Sequence, residues 1–206
     1  VGVAPADRLG VVRSCFKWLS ERRADAGLRQ EAIALALDTA ESKEDPGLGQ
    51  SLDLALTDPD SEVVTIAVDS ISRHGDIALA MLQSAVDSSG AGPSRGHLRA
   101  VGALGAQARA LAGAVEHWAF VDGFGGHVEA VCCLIRLDAP SDRLFAELRK
   151  LLRSGSLAER FAVITALSDS SGSFGPLFRD LEKVAEDPAL DVPEIAFAIR
   201  RVAPTE

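Results

Sequence analysis

The sequence predicts an all-α fold of about six stacked helical hairpins, on three observations. Ala and Leu dominate a composition with 5% aromatic residues and no Tyr, which suits closely packed small-residue helices better than β-branched, aromatic strands. Apolar residues recur at helical spacing, as at Val63, Ile66, Ala67 and Ile71. Helix-breaking clusters interrupt that pattern again and again. With 206 residues, 47% of them apolar, the chain is long enough to bury a substantial core as one domain over residues 1–206.

Residues 7–22 read as the first helix of the first hairpin, and residues 28–40 as its partner. Lys43-Glu44-Asp45-Pro46-Gly47 then breaks the chain before a helix at 48–57. The clearest unit follows, from Leu56-Thr57-Asp58-Pro59-Asp60-Ser61-Glu62-Val63 to Gly75-Asp76. Asp58-Pro59-Asp60 closes one helix and opens the next, with Asp60 or Ser61 placed to cap exposed amides and Glu62 near the positive helix start. First helices are next expected at 77–88, 108–120, 142–153 and 176–185, and second helices at 98–106, 128–137, 159–167 and 192–202. The glycine- and serine-rich stretch 88–93, the loop 122–126, Ser154-Gly155-Ser156 and Asp187-Pro188 separate them. Second helices start roughly every 30 to 35 residues, within the range of helical repeats. Ala32, Ala67, Gly102, Cys132 and Val163 stand four positions into these helices, where small side chains let a neighbour approach.

The Asp58-Pro59-Asp60 turn, the Val63, Ala67, Ile71 spacing and the Gly75-Asp76 ending resemble the HEAT-repeat, armadillo-like family, with weaker versions over nearly the whole chain. Val64 stands where such repeats often carry Arg, the repeat at Leu98 is glycine-rich, and the last pair lacks a clear Asp-Pro-Asp turn. The resemblance implies a right-handed α-solenoid with first helices outside and second helices lining an inner surface. It also implies a protein-binding scaffold, the usual role of the family, although a fold does not identify a ligand. Helical-repeat relatives include alkylpurine DNA glycosylases and bilin lyases, so an enzyme is the competing reading. A structural or regulatory segment of a larger protein is the third.

A formal charge of -9 repels phosphate backbones over most of the surface and argues against general nucleic-acid binding, a local basic patch excepted. No stretch approaches the ~20 apolar residues of a membrane span, and no leader-like segment opens the chain. Cys15 and the adjacent Cys132 and Cys133 form no spaced disulfide framework. A cytoplasmic protein is expected, without a bound cofactor, its oligomeric state open. The chain opens on Val, consistent with a removed initiator or with excision from a longer polypeptide.

Polar residues near the starts of the second helices, Arg29, Arg99, Glu129, Arg160 and Glu194, are candidates for a mixed-charge strip that recognises a protein or peptide. The competing reading is ordinary solvated faces and ion pairs between repeats, which contribute little when exposed. The loop Asp122-Gly123-Phe124-Gly125-Gly126-His127 is the least repetitive segment. Asp122, Phe124 and His127 are its candidates, because glycine lets backbone amides approach a ligand at a helix start. It matches neither a dinucleotide-binding nor a P-loop pattern, and a plain inter-helix turn explains it as well. His74, His97, His117 and His127 are dispersed without metal-ligand spacing. Cys132 and Cys133 sit in an apolar helical run with no activating base nearby in sequence. Trp18 and Trp118 fit inward-facing helix positions or an interface, and the acidic stretch 41–45 fits a solvated turn.

Overall fold

The computed structural model describes residues 14, 27–29, 31–33, 46–73, 75–87, 92–170, 174–190 and 192–203. The expected helix at 7–22, most of 28–40, the stretch 41–45 and the residues Cys15, Trp18 and His74 lie outside them. Among the described residues the structure is helical, with no strand, and no helix is long and apolar enough to cross a membrane. The chain divides into two compact units, residues 1–104 and 105–206.

In the first unit, α1 (Pro46–Leu56), α2 (Ser61–Arg73), α3 (Gly75–Asp87) and α4 (Arg95–Leu104) follow each other closely. Asp60 Oδ1 accepts the Glu62 N–H at 2.9 Å, so Asp60 caps α2 as its position beyond Pro59 predicts. The apolar stripe of α2 is buried at Val63, Ala67 and Ile71. Helix α2 packs along α1, α3 and α4, and α4 in turn packs against α1 and α3. Gly96 is required where α4 begins, because a Cβ there would run into the Leu56 carbonyl at the end of α1. That close approach is fixed by Ser94, whose hydroxyl donates to the Leu56 carbonyl at 3.0 Å.

The second unit opens on a 3-10 turn, Gly105–Leu111. The helix expected at 98–106 stops at Leu104 because Gly105 takes a left-handed φ of 51°. The helix expected at 108–120 is accordingly regular α-helix only as α5 (Ala112–Ala119). Helices α6 (His127–Arg136), α7 (Asp142–Ser154) and α8 (Leu157–Ser168) follow. After them come a 3-10 turn at Gly175–Leu177, α9 (Phe178–Val184), a 3-10 turn at Pro188–Leu190 and α10 (Pro193–Val202). Ser141 caps α7, and Ser156 and Glu159 form a capping box on α8. Helix α6 ends with the Ala139 N–H donating to the Leu134 carbonyl at 3.1 Å and Asp138 at φ 51°, a turn that usually carries Gly.

In this unit α6, α8 and α10 pack successively on one another, while α5, α7 and α9 pack against α6, α8 and α10 respectively. Leu134, Ile135, Leu148, Leu152, Ile164, Leu167 and Leu181 fill the space between them, with Phe174 edge-on to Phe145 at 5.9 Å. The four small second-helix positions Ala32, Ala67, Cys132 and Val163 are all buried, as is Gly102.

Candidate functional site

The loop singled out by its glycines forms one wall of a cleft of about 550 Å³. Its backbone folds as two successive tight turns, with Phe124 N–H donating to Val121 O and His127 N–H to Phe124 O, both at 3.3 Å. Gly123 supplies a φ of 78° that side chains rarely adopt. Phe124 is anchored on Trp118, ring centroids 5.3 Å apart. Asp122, Phe124 and His127 are thus brought to one cleft, whose opposite wall is α7. Arg143, Ala146, Glu147 and Lys150 line that wall at i, i+3, i+4 and i+7, one face of the helix.

His127 ties the two walls together. Its Nδ1 lies 2.7 Å from the Ala119 carbonyl and its Nε2 3.0 Å from Glu147 Oε1. Both neighbours are acceptors, one from the residue ending α5 and one from α7. Glu147 also accepts from Lys150 Nζ at 3.0 Å. Burial pushes the Glu147 carboxyl upward, but the hydrogen bonds and charges of Lys150 and His127 outweigh it and leave the group below its ordinary value. The Arg143 guanidinium carbon lies over the Phe120 ring, 4.0 Å from its centroid.

The candidates on the second helices have other surroundings. Arg29, 8% exposed, donates through Nε and Nη2 to the two oxygens of Asp58, at 2.9 and 3.1 Å. Asp58 Oδ1 also accepts the Asp60 N–H at 2.9 Å, closing the turn. The arrangement recurs in the second unit. Arg160 Nη1 donates to Asp187 Oδ2 at 2.8 Å, while Asp187 Oδ1 accepts the Ala189 N–H at 3.0 Å. Each is an Asp-Pro turn between two helices, clamped by an arginine 29 or 27 positions earlier in the chain. The last pair therefore uses Asp187-Pro188 as the earlier one uses Asp58-Pro59, without the second aspartate. Arg99 Nη2 donates to Thr65 Oγ1 at 3.1 Å. Glu129 and Glu194 are half-buried in the first turns of α6 and α10, where a carboxylate complements the positive helix end.

A Ser-His-Asp series, not anticipated from sequence, occurs in the first unit. Ser94 Oγ lies 2.7 Å from His97 Nδ1, and His97 Nε2 lies 3.1 Å from Asp53 Oδ1. Its groups are committed to structure. Ser94 Oγ accepts the His97 backbone N–H as the cap of α4 and holds the Leu56 carbonyl, and His97 is 3% exposed. The Ser94 N–H donates to Nδ1 at 3.2 Å, which leaves the ring's proton on Nε2. The approach of Nε2 to Asp53 lacks the direction of a hydrogen bond and leaves this buried nitrogen unsatisfied. Burial lowers the His97 pKa below its ordinary value, opposed by the Asp53 charge, so the ring stays neutral near pH 7.

Cys132 and Cys133 are buried free thiols. Burial pushes Cys132 up to about 12, and Cys133 is raised further by the same cause. Four large apolar side chains on second helices are exposed: Leu28 (50%), Leu157 (54%) and Phe161 (41%) on α8, and Phe197 (56%) on α10. Periodicity alone does not separate an exposed aromatic from a buried one. No family model matches the chain, nor does any curated protein or solved structure.

Proposed function

We propose that this chain is a noncatalytic binding module made of HEAT-like hairpins, taking a protein or peptide segment on the face presented by its second helices. In this reading the hairpins of each unit stack in a right-handed solenoid sense, second helix on second helix. The observation that carries the function is the pair Phe161 and Phe197, large aromatics left in solvent on two helices that pack against each other. Each stands four residues into its helix. Burying such a side chain on a partner is worth roughly 1.5–3 kcal/mol, and aromatic residues are the usual anchors of protein interfaces. The nucleophiles that a catalytic reading needs support the same conclusion: Cys132, Cys133 and Ser94 are buried or bound into caps.

The test is affinity capture from lysate at low and moderate salt, comparing the native chain with Phe161→Glu and Phe197→Glu. A partner retained by the native chain and released by both variants is the expected result. Equal retention by all three chains, or substrate turnover by the purified protein, overturns the proposal.

A further inference from the structure

We infer that the cleft between the 120–126 loop and α7 binds an acidic peptide segment, with a carboxylate of that segment seated on Arg143; this rests on the binding-module reading and gives it a second contact of defined chemistry. On α7 the natural partner of Arg143 is Glu147, one turn along the same face. Glu147 is instead drawn to the other side, by His127 Nε2 and Lys150 Nζ, each at 3.0 Å. Arg143 is left over the Phe120 ring, and among the described residues no acceptor takes a hydrogen bond from it. Elsewhere in the same unit Arg136, Arg149, Arg153 and Arg160 each face an aspartate.

A guanidinium is a planar fork of N–H donors, and one that no acidic side chain occupies is free to hold a planar carboxylate in two bonds. Glu147 is held by the Lys150 ammonium and by His127 Nε2, away from Arg143. A volume of about 550 Å³ accommodates a few residues of extended chain, and Phe124 offers an apolar contact beside the carboxylate. Asp122, on the loop wall, disfavours a bare anion and accepts from the N–H groups that a peptide brings. The site therefore selects a carboxylate carried on a peptide over a free oxyanion.

The experiment is fluorescence anisotropy with a fluorescein-labelled, N-acetylated hexapeptide of alternating Glu and Leu, and the same peptide with Gln in place of Glu. Saturable binding of the acidic peptide is expected, with the Gln peptide at least about tenfold weaker and Arg143→Ala weakened about tenfold, or roughly 1.4 kcal/mol. Arg143→Lys keeps the charge without the fork or the ring contact and recovers less than half of that loss. Arg143 is exposed, so both variants are expected to fold, which circular dichroism verifies. Equal binding of the two peptides, unchanged affinity of Arg143→Ala, displacement by inorganic phosphate at equal concentration, or no saturation would each overturn the inference. If the acidic peptide fails while partner capture remains dependent on Phe161 and Phe197, this inference fails alone and the binding-module reading stands.

Discussion

Removing the carboxylate of Asp58 is expected to be among the most damaging polar substitutions in the first unit. Its side chain is 1% exposed and accepts three hydrogen bonds, from Arg29 Nε, Arg29 Nη2 and the Asp60 N–H. Taking one member from a buried ion pair costs roughly 3–5 kcal/mol, because the other charge stays desolvated without its counterpart. Asp58→Ala removes the acceptor of Arg29 Nε and Nη2 and of the turn amide, and belongs in that range. Asp58→Asn keeps one carbonyl oxygen for the amide and loses the charge, so about 1.5–3 kcal/mol is expected, the worth of a charge-assisted hydrogen bond. A double-mutant cycle of Asp58→Asn with Arg29→Met, read by urea unfolding at 222 nm, isolates the pair. Its interaction energy is expected to be about 1.5–3 kcal/mol, larger than for the equivalent cycle at Arg160 and Asp187, whose side chains are 18% and 32% exposed. Additivity within about 0.5 kcal/mol at Asp58 would mean that the clamp contributes nothing and that the reasoning is wrong.

Gly96→Ala is expected to destabilise the chain by roughly 1–3 kcal/mol in the same assay, since the new methyl meets the Leu56 backbone rather than a yielding side chain; a neutral result contradicts the close approach. Asp138→Gly should stabilise by about 0.5–1 kcal/mol, relieving a left-handed φ of 51° and removing a buried carboxylate oxygen without a partner, and a loss of stability refutes this. In a Cys15→Ser background, Cys132 and Cys133 should resist a thiol-specific chromogenic disulfide at pH 8 and react fully in urea, because burial holds both protonated; prompt labelling of the native protein counts against that. Acid should destabilise progressively. His97 is lowered from 6.5, Glu147 and Glu159 from 4.5 and Asp187 from 3.8, so at each group the unfolded chain takes up protons first. Their contribution is complete above the unfolded values and disappears as pH falls through the folded ones. The urea midpoint should therefore begin to decline below about pH 6.5 and fall more steeply below about 4.5, and a flat profile between pH 7 and 4 speaks against the assignment.

The helices were legible because their ends carry local chemistry. Asp60, Ser141 and Ser156 announce α2, α7 and α8 by capping, and the expected boundaries at 142–153 and 192–202 differ from the observed ones by a single residue at one end. Local rules failed where the backbone changed type, at Gly105, whose left-handed turn converts part of an expected helix to 3-10 geometry. The loop at Asp122, Phe124 and His127 was legible as unusual from its glycines. Glu147, Lys150 and Arg143 were not, because only the packing of α7 brings them opposite that loop. Arg29 and Arg160 were readable as helix-start residues, but their partners come 29 and 27 positions later in the chain. The readable trace of those contacts is an Asp-Pro dipeptide at that distance from an arginine.

The clamps at Asp58 and Asp187 join segments far apart in the chain, the arginine standing 29 or 27 positions ahead of the aspartate it holds. Each aspartate sits in the turn between two helices, α1 and α2 for Asp58 and α9 and α10 for Asp187. The two halves do not travel together: the turn ahead of Arg160 is Ser154-Gly155-Ser156, with no aspartate, and α2, which follows Asp58, carries no arginine before Arg73. A copy of either segment brings only one half of a clamp, so each clamp locks its own two segments and does not propagate along the chain.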